Sequence, residues 1–118
     1  DSCFNISRTI KRKKDNKEDF TDQQYQNIHQ MFKLVDEALT QMNYMFTHDR
    51  HTLTMTHTFN IETEINNYRN QLRNQNLDDV DNHLYTYGIG TMYMDIIQEC
   101  EKLGDYVVNV AEARVGVR

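Results

Sequence analysis

Between Thr21 and Ala111 the apolar residues return every three or four positions in three successive runs, and the chain contains no proline to interrupt them. That spacing is the period of one helical face, whereas a half-buried strand alternates at every second residue. The first run is Ile28, Met31, Phe32, Val35, Ala38, Leu39, Met42, Met45 and Phe46, opening at Thr21 or Asp22, either of which caps a helix N-terminus well. The second carries Leu53, Ile61, Ile65, Tyr68 and Leu72. The third and longest carries Ile89, Met92, Tyr93, Ile96, Ile97, Cys100, Leu103, Val107, Val110 and Ala111. Three such faces are hidden from water most simply against one another. The pattern therefore predicts an all-α, up-down-up three-helix bundle with Ile65 and Ile96 in its core.

The breaks are expected at Thr47 to His51 and at Asn74 to Asn76, with Asp78 capping the last helix. Thr52, Thr54, Thr56 and Thr58 alternate with Leu53, Met55, His57 and Phe59, a pattern that a strand shares. Its place between two helical runs assigns it to helix. A further short helix is expected from Ser2 to Lys13, ending in the basic run Lys11 to Lys14, which suits the negative end of a helix dipole. A polar joint, Asp15 to Asp19, separates it from the bundle.

At 118 residues the chain is sized for one domain. Its net charge of −5 disfavours the phosphate backbone of nucleic acid as a partner. No apolar run approaches the ~20 residues that span a bilayer, so this segment is not expected to insert in a membrane. Neither a signal-peptide pattern nor an initiator Met is present, and the expectation is a piece of a longer protein. Cys3 and Cys100 form neither a disulfide framework nor a metal pair, and Cys100 falls within an apolar arc, where a thiol packs rather than reacts. Gly88-Ile89-Gly90 lacks the third glycine of a dinucleotide fingerprint and follows no strand; close helix contact or a bend is the expected use. His48, His51 and His57 supply too few ligands of fixed geometry for zinc. No Ser or Cys is spaced with a His and an acid in a catalytic pattern, so no enzyme is expected.

One polar constellation stands out. Stepping about 100° per residue gathers Glu101, Asp105, Asn109 and Glu112 into a narrow stripe, away from Leu103, Val107 and Val110. Like charges four apart repel. A bound cation relieves that repulsion, and carboxylate and amide oxygens suit Mg²⁺, Mn²⁺ or iron. The plain reading of the same stripe is a solvated outer face.

The run Glu101-Lys-Leu-Gly-Asp105-Tyr-Val-Val-Asn109-Val-Ala-Glu112 resembles the signature of PhoU-type domains, an acid-x-x-x-Asp motif on a long helix followed by Asn and a small-Glu step. The opening residues Asp1-Ser-Cys-Phe-Asn5-Ile6-Ser7-Arg8 echo Asp105 to Glu112, which suggests the second half of the same motif from a preceding repeat. The resemblance implies repeated three-helix bundles. Residues 1–14 would then be the helical tail of one repeat and 21–114 a whole one. It also implies that Glu101 and Asp105, with Asp1, are metal-ligand candidates for a divalent cation or iron. The first motif lacks its leading acid, so a site shared between repeats is incomplete here.

Glu62-Thr-Glu64-Ile-Asn66-Asn-Tyr-Arg69 is similar to the PhoU-like domain that ends bacterial sodium/phosphate cotransporters. That likeness implies a regulatory domain on the cytoplasmic face of the inner membrane, partnered by the transmembrane part of the same protein. Two other readings are a soluble PhoU-type regulator of phosphate signalling and a helical scaffold that forms a homodimer through an exposed apolar stripe.

Overall fold

The computed structural model of the chain describes residues 19–48 and 50–116. The described residues form three helices, α1 (Asp22–Thr47), α2 (Thr56–Asp81) and α3 (Tyr87–Val115), with one 3₁₀ turn, Arg50–Thr52, between the first two. No strand occurs among the described residues. The expected three-helix bundle is observed; the expected helix from Ser2 to Lys13 lies outside the described residues.

Local chemistry fixes where α1 begins. The Thr21 hydroxyl accepts from the Gln24 amide at 3.1 Å, and the Gln24 side chain accepts from the Thr21 amide at 2.9 Å, a reciprocal capping box. Phe20, just before the cap, meets Tyr25 edge-on with ring centroids 5.6 Å apart, which staples the entering chain to the first turn. Phe20 also packs edge-on against Tyr93 of α3.

The C-terminus of α1 has no basic residue in its last turn. Tertiary structure supplies one. Arg114 of α3 donates to the carbonyl of Met45 at 2.8 Å and to that of His48 at 2.9 Å, satisfying acceptors that the helix leaves open. The connection then turns through Arg50–Thr52, and α2 starts only at Thr56. Leu53 thus precedes the helix to which the pattern assigned it.

α2 does not stop at Asn74 to Asn76. It continues to Asp81 and closes with the amide of His83 on the carbonyl of Val80 and that of Leu84 on the carbonyl of Asp79. This is a Schellman stop, with His83 in the left-handed conformation at φ 60. Asp78 lies inside α2, and Thr86 caps α3 instead, accepting from the Ile89 amide at 3.2 Å. The three-residue asparagine-rich stretch breaks nothing: Val80 beyond it packs against the start of α3 at Gly90, and Asn76 is bound from the following turn by the Tyr85 hydroxyl at 2.6 Å.

The core runs the length of the bundle. Met31, Val35 and Ala38 of α1, Ile61, Ile65 and Leu72 of α2, and Tyr93, Ile96, Ile97, Cys100 and Val107 of α3 are all buried. Each large apolar side chain fully withdrawn from water contributes about 1.5–3 kcal/mol. Two residues of the expected α1 face are not core: Phe32 is 39% and Phe46 55% exposed. Phe32 sits about 100° around from the middle of the stripe, and Phe46 lies in the last turn of α1. Leu34, outside the expected set, is buried in their stead.

α3 packs along both other helices and so hides a wide arc. Two glycines let α2 approach it. A Cβ on Gly104 would lie 3.1 Å from Cδ1 of Ile65, and one on Gly90 would lie 2.9 Å from Cγ2 of Val80. The close-contact role expected for the Gly88/Gly90 pair therefore falls to Gly90, while Gly88 is exposed.

Candidate functional site

The wide buried arc of α3 sets the attitude of its carboxylate ridge. Met94 and Val108 are buried on the α2 side of the arc, and helical stepping places Glu101 beside them. The ridge therefore lies on the rim of the α2/α3 seam rather than on a fully solvated outer face. Glu101, Asp105 and Glu112 are half-buried, and Asn109 alone is exposed. Leu103 is half-buried and Val107 buried, as the phase of the helix requires.

α2 brings a cation to this rim. Nη1 of Arg69 stands 3.2 Å from Oε1 of Glu101, whose side chain is 18% exposed. Arg69 also donates through Nη2 to Asn70 at 3.0 Å, and its Nε is buried with no hydrogen-bond partner among the described residues. Glu62, two turns before Arg69 on α2, is half-buried and accepts from Asn66 at 3.4 Å.

Partial burial raises the Glu101 pKa above the ordinary carboxylate value, and repulsion from Asp105 raises it further. Arg69 opposes both effects, and Glu62 adds a smaller upward push. The site is thus an acid held partly against its preference for water, beside a second acid and a guanidinium. It can exchange a proton, or trade its guanidinium partner for another cation.

Of the expected ligands, Glu101 and Asp105 share this rim, whereas Asp1 lies outside the described residues. Among the described residues no three His, Cys, Asp or Glu side chains are gathered so as to hold a metal ion. His48 is engaged locally, its Nδ1 2.8 Å from the Tyr44 carbonyl and its ring stacked on Tyr44. Cys100 is buried; Cys3 and the basic run Lys11 to Lys14 lie outside the described residues.

Arg69 is the residue of this rim to which sequence reasoning gave no role. Seven residues separate Glu62 from Arg69, close to two helical turns, so an acid and a base lie along one line of α2. That line was readable; its alignment with the α3 ridge was not.

Among the described residues no helix is long and apolar enough to cross a membrane. No curated protein and no solved structure matches the chain. Residues 28–113, most of the chain and nearly all of the bundle, match the family model described as the PhoU domain. The chain belongs to the PhoU domain family.

Proposed function

We propose that this PhoU-domain chain is a non-catalytic regulatory module of phosphate handling, and specifically the cytoplasmic domain of a sodium-dependent phosphate cotransporter at the bacterial inner membrane. The observation that carries the reading is the family match over 28–113, with the Glu101/Asp105 motif set on the rim of a helix seam. The similarity of the Glu62 to Arg69 segment to cotransporter-linked PhoU domains supports the finer assignment.

In this reading the module acts by contact. Its seam face biases the transmembrane part of the same protein, and occupancy of the rim tunes that face. Glu101 and Asp105 would hold a divalent cation or iron there, with Asp1 contributing from the preceding repeat and Arg69 released from Glu101.

Labelled-phosphate uptake distinguishes the assignments. The gene is expressed intact in bacteria lacking their own phosphate importers, with and without a sodium gradient, as wild type and as Asp105→Asn. Sodium-dependent uptake that shifts in the variant supports the cotransporter. A changed phosphate-starvation response without uptake supports the soluble regulator. If neither responds, regulation of phosphate handling is rejected, and a homodimeric scaffold is the surviving account.

A further inference from the structure

A second polar region lies at the end of the bundle where α1 begins, away from the carboxylate rim. Here the first turns of α1, the second half of α2 and the turn before α3 enclose a half-open groove of about 570 Å³, within the usual size of small-molecule sites. Its walls carry Asn27 from α1, Tyr68, Gln71, Gln75 and Asp79 from α2, and Tyr85 from the turn. Asp79 is the one charged residue among those lining it, and no Lys, Arg or His is among them.

The polar groups are positioned by hydrogen bonds rather than left to rotate. Tyr68 donates to Oδ1 of Asn27 at 3.3 Å, Gln23 donates to the same oxygen at 2.9 Å, and Asn27 donates onward to the buried Tyr93 hydroxyl at 3.1 Å. Gln75 donates to Asp79 at 2.9 Å. Tyr85 is fixed by its bond to Asn76.

Behind Tyr85 sits Gln24, only 2% exposed. Its amide favours ionisation of the Tyr85 phenol, yet its Nε2 completes no hydrogen bond to any described residue. A buried donor left in that state costs about 1–3 kcal/mol. Burial, with help from Asp79, pushes the Tyr85 pKa up to about 12 despite Gln24, and burial raises that of Tyr68. Both phenols therefore stay protonated at neutral pH; with their O–H groups engaged by Asn27 and Asn76, each presents its oxygen as an acceptor.

We propose that this groove binds a neutral, hydroxyl-rich small molecule of the polyol or sugar class. Adjacent hydroxyls on such a ligand match the paired donor and acceptor positions of side-chain amides and of a carboxylate. The faces of Tyr68 and Tyr85, with Leu72 and Leu84, give its C–H side an apolar floor. Among the described lining residues free phosphate would meet a carboxylate and no cation, which makes it a poor fit. The groove would thus give the domain an input chemically separate from phosphate, and the inference stands apart from the function proposed above.

The test is ¹⁵N–¹H NMR of the whole chain titrated separately with myo-inositol, glucose, maltose and inorganic phosphate. At least one neutral probe should give saturable shifts at Thr21, Asn27, Gln75, Asp79 and Leu84. Phosphate should leave these signals still. Asp79→Asn should weaken the interaction by about tenfold, equivalent to one charge-assisted hydrogen bond. That substitution keeps the main-chain bond from the Leu84 amide to the Asp79 carbonyl, so the helix stop survives it. Tyr68→Phe should weaken it several-fold with only a small drop in the melting midpoint, from the lost bond to Asn27. Groove shifts with phosphate, shifts only elsewhere on the bundle, or no saturable response to any neutral probe would each overturn the proposal.

Discussion

Gly90→Ala should destabilise the bundle even though alanine is the better helix former. In an exposed helix position the exchange gains about 1 kcal/mol. At Gly90 the new methyl would lie 2.9 Å from Cγ2 of Val80, 3.1 Å from Oδ1 of Asn76 and 3.3 Å from Cε1 of Tyr85. None of the three yields easily. Val80 is β-branched and stiff at χ1, and Asn76 and Tyr85 hold each other through a 2.6 Å hydrogen bond. Overpacking of this kind costs about 1–3 kcal/mol. Offsetting the propensity gain leaves a net loss of up to about 2 kcal/mol, and in a domain of this size each kcal/mol moves the melting midpoint by about 4 °C or more. Gly88→Ala, two residues earlier on the exposed side of the same helix, is the paired measurement and should stabilise. Urea and thermal unfolding followed by circular dichroism read both. If Gly90→Ala proves as stable as Gly88→Ala, the close approach of α2 to the start of α3 is not what selects glycine there.

Arg114→Ala removes both donors to the C-terminal carbonyls of α1 and should cost about 1.5–3 kcal/mol; Arg114→Lys, which cannot fork to two carbonyls, should recover less than half in urea unfolding. His83→Gly relieves the left-handed residue that ends α2 and should stabilise by about 0.5–1 kcal/mol after the added unfolded-state entropy is deducted, so a lower unfolding midpoint would contradict the Schellman assignment. Because the Glu101 pKa is raised on folding, its favourable contribution is full below the ordinary value of 4.5 and is lost as pH rises through the folded value; Glu101→Gln should flatten that slope in urea midpoints taken across the window, and an unaltered slope would place the titration elsewhere. Mn²⁺ should raise the melting midpoint of the wild type and leave Asp105→Asn unmoved; equal responses would remove the cation from the proposed function.

The elements that were legible in the sequence share one property: their signals are local. The Thr21 cap and the 3–4 spacing of Ile28, Met31 and Val35 are visible within one or two turns, and they report a face without reference to any neighbour. The end of α2 was misread because its stop signal is a histidine. Most Schellman stops announce themselves with glycine, which takes a positive φ without strain; His83 does the same work unannounced, while Asn74 to Asn76 advertise a break that the helix passes through because Tyr85 holds Asn76 and Val80 packs on α3. Phe32 and Phe46 were misassigned for a related reason. Periodicity marks a residue as near the apolar face but does not say how far around the neighbouring helices reach. The stripe of Glu101, Asp105, Asn109 and Glu112 follows from the helical period of α3 alone, whereas the half-burial of its acids and the pairing of Glu101 with Arg69 depend on α2.

The sequence by itself determined that this chain makes amphipathic helices, roughly which side of each is apolar, and that Glu101 and Asp105 share one line, because backbone hydrogen bonding and side-chain period act within a few residues. Only the tertiary structure decided that Arg69 meets Glu101, that Arg114 caps a helix some seventy positions away, and that Asn27, Tyr68 and Tyr85 wall one groove. Those outcomes rest on the rotation and offset of one helix against another, which are set by the packing of whole faces and by the two glycines that let α2 and α3 close in.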